Sequence, residues 1–108
     1  MTEADRIEQH LATVEARLTA ASGDSSLCDL SRTGPSHAVK SLEGAMSALL
    51  EARRRLRDAD DAAATVVRTV LEEWRAELEI DERRGPIWQS YRTGGIEELE
   101  ALLHDLRP

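Results

Sequence analysis

Ala38, Leu42, Ala45, Leu49, Ala52, Leu56, Ala59, Ala63, Val66 and Val70 recur at alternating spacings of four and three, and all of them are apolar. A 3.5-residue period sustained over this distance is that of a helix with one continuous apolar seam. No proline lies between Pro35 and Pro86, and Gly44 is the one glycine in that interval before Gly85. The pattern predicts one helix over about residues 36–84, which at ~1.5 Å per residue would be on the order of 70 Å long. Such a seam has to be covered, and the rest of the chain is short.

A second, shorter seam runs through Ala4, Ile7, Leu11, Val14, Leu18 and Ala21, which predicts helix 1 over about residues 3–21. Thr2 and Asp5 stand at capping-box spacing before it, with Asp in place of the usual Glu. Residues 22–34, SGDSSLCDLSRTG, read as a loop that reverses the chain, with Leu27, Cys28 and Leu30 tucked back onto the rod and Pro35 in the first turn of the next helix. After Val70 the heptad slips, because Glu73 and Glu77 fall on the seam while Trp74 and Leu78 take over as the apolar row. Gly85 and Pro86 end the long helix. Residues 85–95 form an aromatic elbow that gathers Trp74, Trp88 and Tyr91, with a turn at Thr93, Gly94 and Gly95. Ile96, Leu99, Leu102, Leu103 and Leu106 mark a third helix over about residues 96–106.

The fold class expected is therefore all-α, a single domain over residues 1–108. It is an elongated antiparallel helical hairpin with one very long central helix, a short C-terminal helix and coiled-coil-like packing. The alternative is a break near Asp58 to Asp61, where RDADDAAA can cap a new helix and let the chain fold into a compact monomeric bundle.

On the long-helix reading the stripe formed by Ala63, Ala64, Val67, Leu71, Trp74 and Leu78 is too wide for the chain to cover, which points to a protein partner, most simply a second copy in a homodimer. With 21 acidic against 14 basic residues and a net charge of −7, the chain lacks the basic surface that nucleic acids or anionic membranes require. No apolar run is long enough to span a bilayer, and the start MTEADRIEQH is acidic where a signal peptide is basic, so a cytoplasmic protein is expected. The lone Cys28 excludes an internal disulfide and a thiolate metal site.

Candidate chemistry is sparse. Arg53, Arg54 and Arg57, with Arg55, form a basic cluster that can grip an anion, although Glu51 with Arg55, Arg54 with Asp58 and Arg57 with Asp61 stand at ion-pair spacing. Arg53 has no such partner. Glu97, Glu100 and His104 share a helix face, as do Glu73 and Glu77, but the Glu-x-x-His of carboxylate metal sites is absent, so no metal and no cofactor are expected. His10 and His37 read as surface residues. No nucleophile stands in a paired motif and no glycine-rich phosphate loop occurs, so no catalytic residue is assigned.

Two stretches resemble known families. IWQSYRTGGIEEL resembles the end of the helix-turn-helix in some bacterial transposases, where Trp, Tyr-Arg and Gly-Gly occur at similar spacings, but DERRGP stands where that motif's preceding helices belong. Separately, the size and hairpin layout resemble the small secreted helical hairpins of type VII secretion systems, whose Trp-x-Gly turn is replaced here by SRTG. The function expected is a non-enzymatic interaction or regulatory adaptor module acting as a homodimer. The alternatives are a small-ligand or anion-binding protein centred on the arginine cluster and a secreted hairpin of the type VII kind.

Overall fold

The long seam does not stay in one helix. The computed structural model describes residues 2–23 and 37–106, in which the helices are α1 (Glu3–Gly23), α2 (His37–Asp58), α3 (Ala63–Ala76), α4 (Leu78–Arg84) and α5 (Pro86–Leu106). No strand occurs among these residues. The all-α class stands, whereas the very long central helix and the hairpin are replaced by a bundle of extents 46 × 31 × 22 Å. The break falls at residues 59–62, within the stretch RDADDAAA that the alternative reading singled out.

Burial decides against the rod. Turning back at residues 59–62 puts Val67, Val70, Leu71 and Trp74 into the same core as Leu49 and Leu99. Burying four large apolar side chains contributes about 1.5–3 kcal/mol each. Interrupting a helix forfeits about four backbone hydrogen bonds at a net ~1 kcal/mol each. The packed bundle wins, and Asp60 and Asp61, poor helix formers, lower the cost of the break.

α1 begins as its sequence suggests. The Thr2 backbone N–H donates to Asp5 Oδ2 at 3.0 Å and the Asp5 N–H to Thr2 Oγ1 at 3.1 Å. These bonds close the capping box and hold the Asp5 carboxyl below its usual range, the backbone bond from Thr2 contributing most. Ile7, Leu11 and Val14 are its buried row. Its backbone remains helical to Gly23, beyond the expected end, and the rest of the proposed loop, with Leu27, Cys28, Leu30 and Pro35, lies outside the described residues. Glu77, where the heptad slips, is the single residue between α3 and α4.

The expected elbow is also revised. Gly85, at φ 120°, ends α4 in a conformation that favours glycine, and Pro86 opens α5 as a first-turn proline. From there the helix runs unbroken through Thr93, Gly94 and Gly95, so these residues form no turn and the third helix starts ten residues earlier than expected.

The glycines serve packing instead. A Cβ on Gly44 would lie 1.8 Å from the Tyr91 carbonyl oxygen, and one on Gly94 would lie 2.1 Å from that of Ser41. The backbones of α2 and α5 therefore touch at their crossing, and α5 also packs against α1, α3 and α4. Gly95 seats the Trp74 ring in the same way, where a Cβ would come within 2.2 Å of Cζ3. This crossing fixes the aromatic residues that follow Pro86 against α2 and α3.

Candidate functional site

Three aromatic residues from two helices stand in a row at this crossing. Trp74, on α3, is buried, and its indole N–H donates to Glu51 Oε2 of α2 at 2.9 Å. Tyr91 stacks on Trp74 with ring centroids 5.7 Å apart, and Trp88, one turn earlier on α5, meets Tyr91 edge-on at 5.8 Å. The row leads from the core to the half-buried Trp88. The structure thus brings Trp74, Trp88 and Tyr91 together, although the surrounding elbow is a helix.

Cations cover the aromatic faces. The Arg92 guanidinium lies 4.2 Å from the Trp74 ring centre, that of Arg84 lies 4.0 Å from Trp88, and Lys40 Nζ lies 4.8 Å from Trp88 on α2's side. One carboxylate organises two of them. Asp81, 2% exposed, accepts from Arg92 Nε at 2.5 Å and from Arg84 Nη1 at 3.2 Å. Arg92 also reaches Glu77 at 2.8 Å. A buried carboxylate is tolerable only when paired in this way, and the pairing locks α4 onto α5. At the rim, Lys40 pairs with Glu43 at 3.1 Å, and His37 meets Ser90 Oγ at 2.7 Å.

Beside this row Glu51, Arg55, Glu73, Glu77 and Arg92 line an open cleft floored by Trp74 and Tyr91. Arg55 bridges Glu51 at 3.1 Å and Glu73 at 2.5 Å, and the Glu73 bond is the main reason its guanidinium is held more firmly protonated than usual. The Glu51–Arg55 pair matches the expected spacing. Among the described residues, no buried side-chain nitrogen or oxygen lacks a hydrogen-bond partner.

The proposed interface residues sit elsewhere than expected. Ala63, Val67, Leu71 and Trp74 belong to the chain's own core, with Val67 0% exposed, and Ala64 and Leu78 pack against it. The stripe needs no partner because α2 and α5 cover it, so the original ground for a dimer is gone. The arginine cluster is dispersed. Arg53 has a partner after all, Glu8 of α1 at 3.0 Å, while Arg54 and Arg57 are exposed and, among the described residues, do not form the expected ion pairs with Asp58 and Asp61. Arg53 and Arg57 edge a cleft of about 340 Å³ with Ile7, Leu56 and Ala63, but Glu3, Glu8 and Asp61 edge it too, which cancels the positive field an anion needs.

His10 was missed by sequence reasoning. Its Nδ1 lies 2.9 Å from Glu98 Oε1 and its Nε2 2.5 Å from Asp105 Oδ2, so one imidazole clasps α1 to α5 through both nitrogens. Partial burial works against the charged ring, but the bonds to Asp105 and Glu98 and their charges outweigh it and raise the His10 pKa. The His10 bond in turn lowers that of Asp105. Its partners are 88 and 95 residues away, and no local spacing announces them. Among the described residues no three His, Cys, Asp or Glu converge on a metal position, and no helix is long and apolar enough to cross a membrane. No protein-family model, curated protein or solved structure matches the chain.

Proposed function

We propose that this chain is a non-enzymatic helical adaptor, acting as a homodimer, whose recognition surface is the end of the bundle carrying Trp88, Lys40 and Arg84. The observation that carries this reading is the half-buried Trp88 with a cation on its face from each of two elements. Trp, Tyr and Arg dominate binding hot spots because they offer large, rigid contact area with a polar edge. The ionisable groups of the cleft beside the aromatic row are tied to one another, which supports binding over catalysis there. The partner that fits is a protein segment with an acidic side chain next to an apolar one, able to exchange for Glu43 on Lys40 and for Asp81 on Arg84 while packing on the indole.

A photo-crosslinker tests this. With p-benzoylphenylalanine in place of Trp88, irradiation in the host cell should trap one discrete protein, and the same probe in place of exposed Arg68 should not. Lys40→Glu with Arg84→Glu should abolish the adduct while leaving the helical signal intact. Identical adducts from both probe positions, or an adduct indifferent to charge reversal, would remove the reading.

A further inference from the structure

The hinge between α2 and α3 is built unlike an ordinary loop. Residues 59–62 are Ala, Asp, Asp and Ala, with neither glycine nor proline. Gly85 is the one position with positive φ among the described residues, so nothing in the hinge requires a left-handed backbone. Ala62 precedes α3 with φ −59° and ψ 144°, a helical φ beside an extended ψ, and no side chain caps the helix there. The apolar seam keeps its phase across the gap, from Leu56 through Ala59 to Ala63 and Val66. Locally, then, the segment is suited to join α2 and α3 end to end, and that would pair the open backbone groups at both helix ends. What bends it is the burial of α3 and α5 against α2.

That burial can be supplied by another molecule. We propose that two copies of this chain assemble by exchanging the half made of residues 63–106, with residues 59–62 as the hinge that opens. The inference rests on the homodimer reading and gives it an interface. Each copy's α3, α4 and α5 would pack on the α1 and α2 of the other, using the same Gly44 and Gly94 crossing and the same core. Since the exchanged contacts duplicate those within one chain, the balance between the two forms lies in the hinge and in concentration. The bonds Trp74–Glu51, Arg55–Glu73, His37–Ser90 and His10–Glu98 all cross the hinge and would be made between copies. Arg53–Glu8 and Arg92–Asp81 stay within one copy.

The full chain is examined by size-exclusion chromatography with light scattering over a concentration series, alone and after refolding at high concentration. Ala62→Pro accepts the observed φ but blocks a continuous helix, and should weaken dimerisation on the order of a hundredfold or more. Asp60→Ala with Asp61→Ala favours the helix and should strengthen it several-fold. A disulfide separates exchange from simple surface contact. His37→Cys with Ser90→Cys, in a Cys28→Ser background, places thiols where these two side chains meet. Oxidation of the isolated dimer fraction should give a covalent dimer on a non-reducing gel. A dimer that yields only single-chain disulfides would overturn exchange while leaving self-association standing, and a monomer at every concentration, including with both hinge aspartates replaced, would overturn both.

Discussion

Replacing Gly44 with alanine should destabilise the fold even though it improves the helix. In an exposed helix the change would gain about 1 kcal/mol of propensity. Here the added methyl would lie 1.8 Å from the Tyr91 carbonyl oxygen and 2.7 Å from its carbon, both backbone atoms that no rotamer change can move. α2 and α5 must part by more than an ångström. Leu49, Leu99 and Leu102, fully buried in the shared core, then lose close contact. A buried leucine makes 40–60 contacts of about 0.1–0.2 kcal/mol, and a gap of 0.5–1 Å forfeits a quarter to a half of each contact affected, so partial loss shared among these three leucines costs roughly 3 kcal/mol. Net of propensity, about 2 kcal/mol or more is lost, which lowers the melting temperature by on the order of 10 °C for a chain of this size. Thermal melts followed by circular dichroism measure it. Gly94→Ala should act in the same direction, and the double variant should cost less than the two together, since one separation accommodates both methyls. A melting temperature that rises in Gly44→Ala would mean that propensity alone operates and that the backbones do not touch.

Stability should depend on pH through His10 and Asp105. The His10 pKa is raised in the fold, so its contribution is complete below the ordinary 6.5 and is lost as pH climbs through the raised value. That of Asp105 is lowered, so its contribution is present above the ordinary 3.8 and fades as pH falls through the lowered value. The urea midpoint of the wild type should therefore exceed that of His10→Gln most between those two ordinary values, and the difference should shrink on the alkaline side; a constant difference would exclude the doubly bonded imidazolium. Asp81→Ala should cost about 3 kcal/mol in urea unfolding, because Arg92 and Arg84 lose their shared carboxylate, and a loss of only a few tenths would place Asp81 in solvent.

Local signals carried some elements and misled at others. Ile7, Leu11 and Val14 were legible from their spacing, as was the Thr2–Asp5 box, because both depend on residues within one or two turns. Gly85 and Pro86 marked a true helix end for the same reason. The break at residues 59–62 was visible only as an acidic run, since the seam is as regular there as elsewhere and the force that bends it comes from α5. Glycine permits a turn, so Gly94 and Gly95 suggest one by sequence alone; whether they serve backbone freedom or close approach is decided by Ser41 and Trp74, on other helices. The aromatic residues were identified from composition, but the cations on their faces and the buried Asp81 that aligns two of them were not, because those contacts join separate elements.

Among the described residues, one helix touches each of the other four, and it follows them in the chain. α5 packs against α1, α2, α3 and α4, so while a ribosome is still adding residues 86–106 the preceding helices lack their common neighbour. During that interval the apolar rows of Leu49, Val67 and Leu71 have the part of the core that α1 to α3 supply, but not Ile96, Leu99, Leu102 and Leu103. Structure can accrue in pieces as the nascent chain emerges, but closure of the bundle awaits synthesis of α5. A stalled or prematurely released chain would present to chaperones and proteases the same apolar surface that the finished protein conceals.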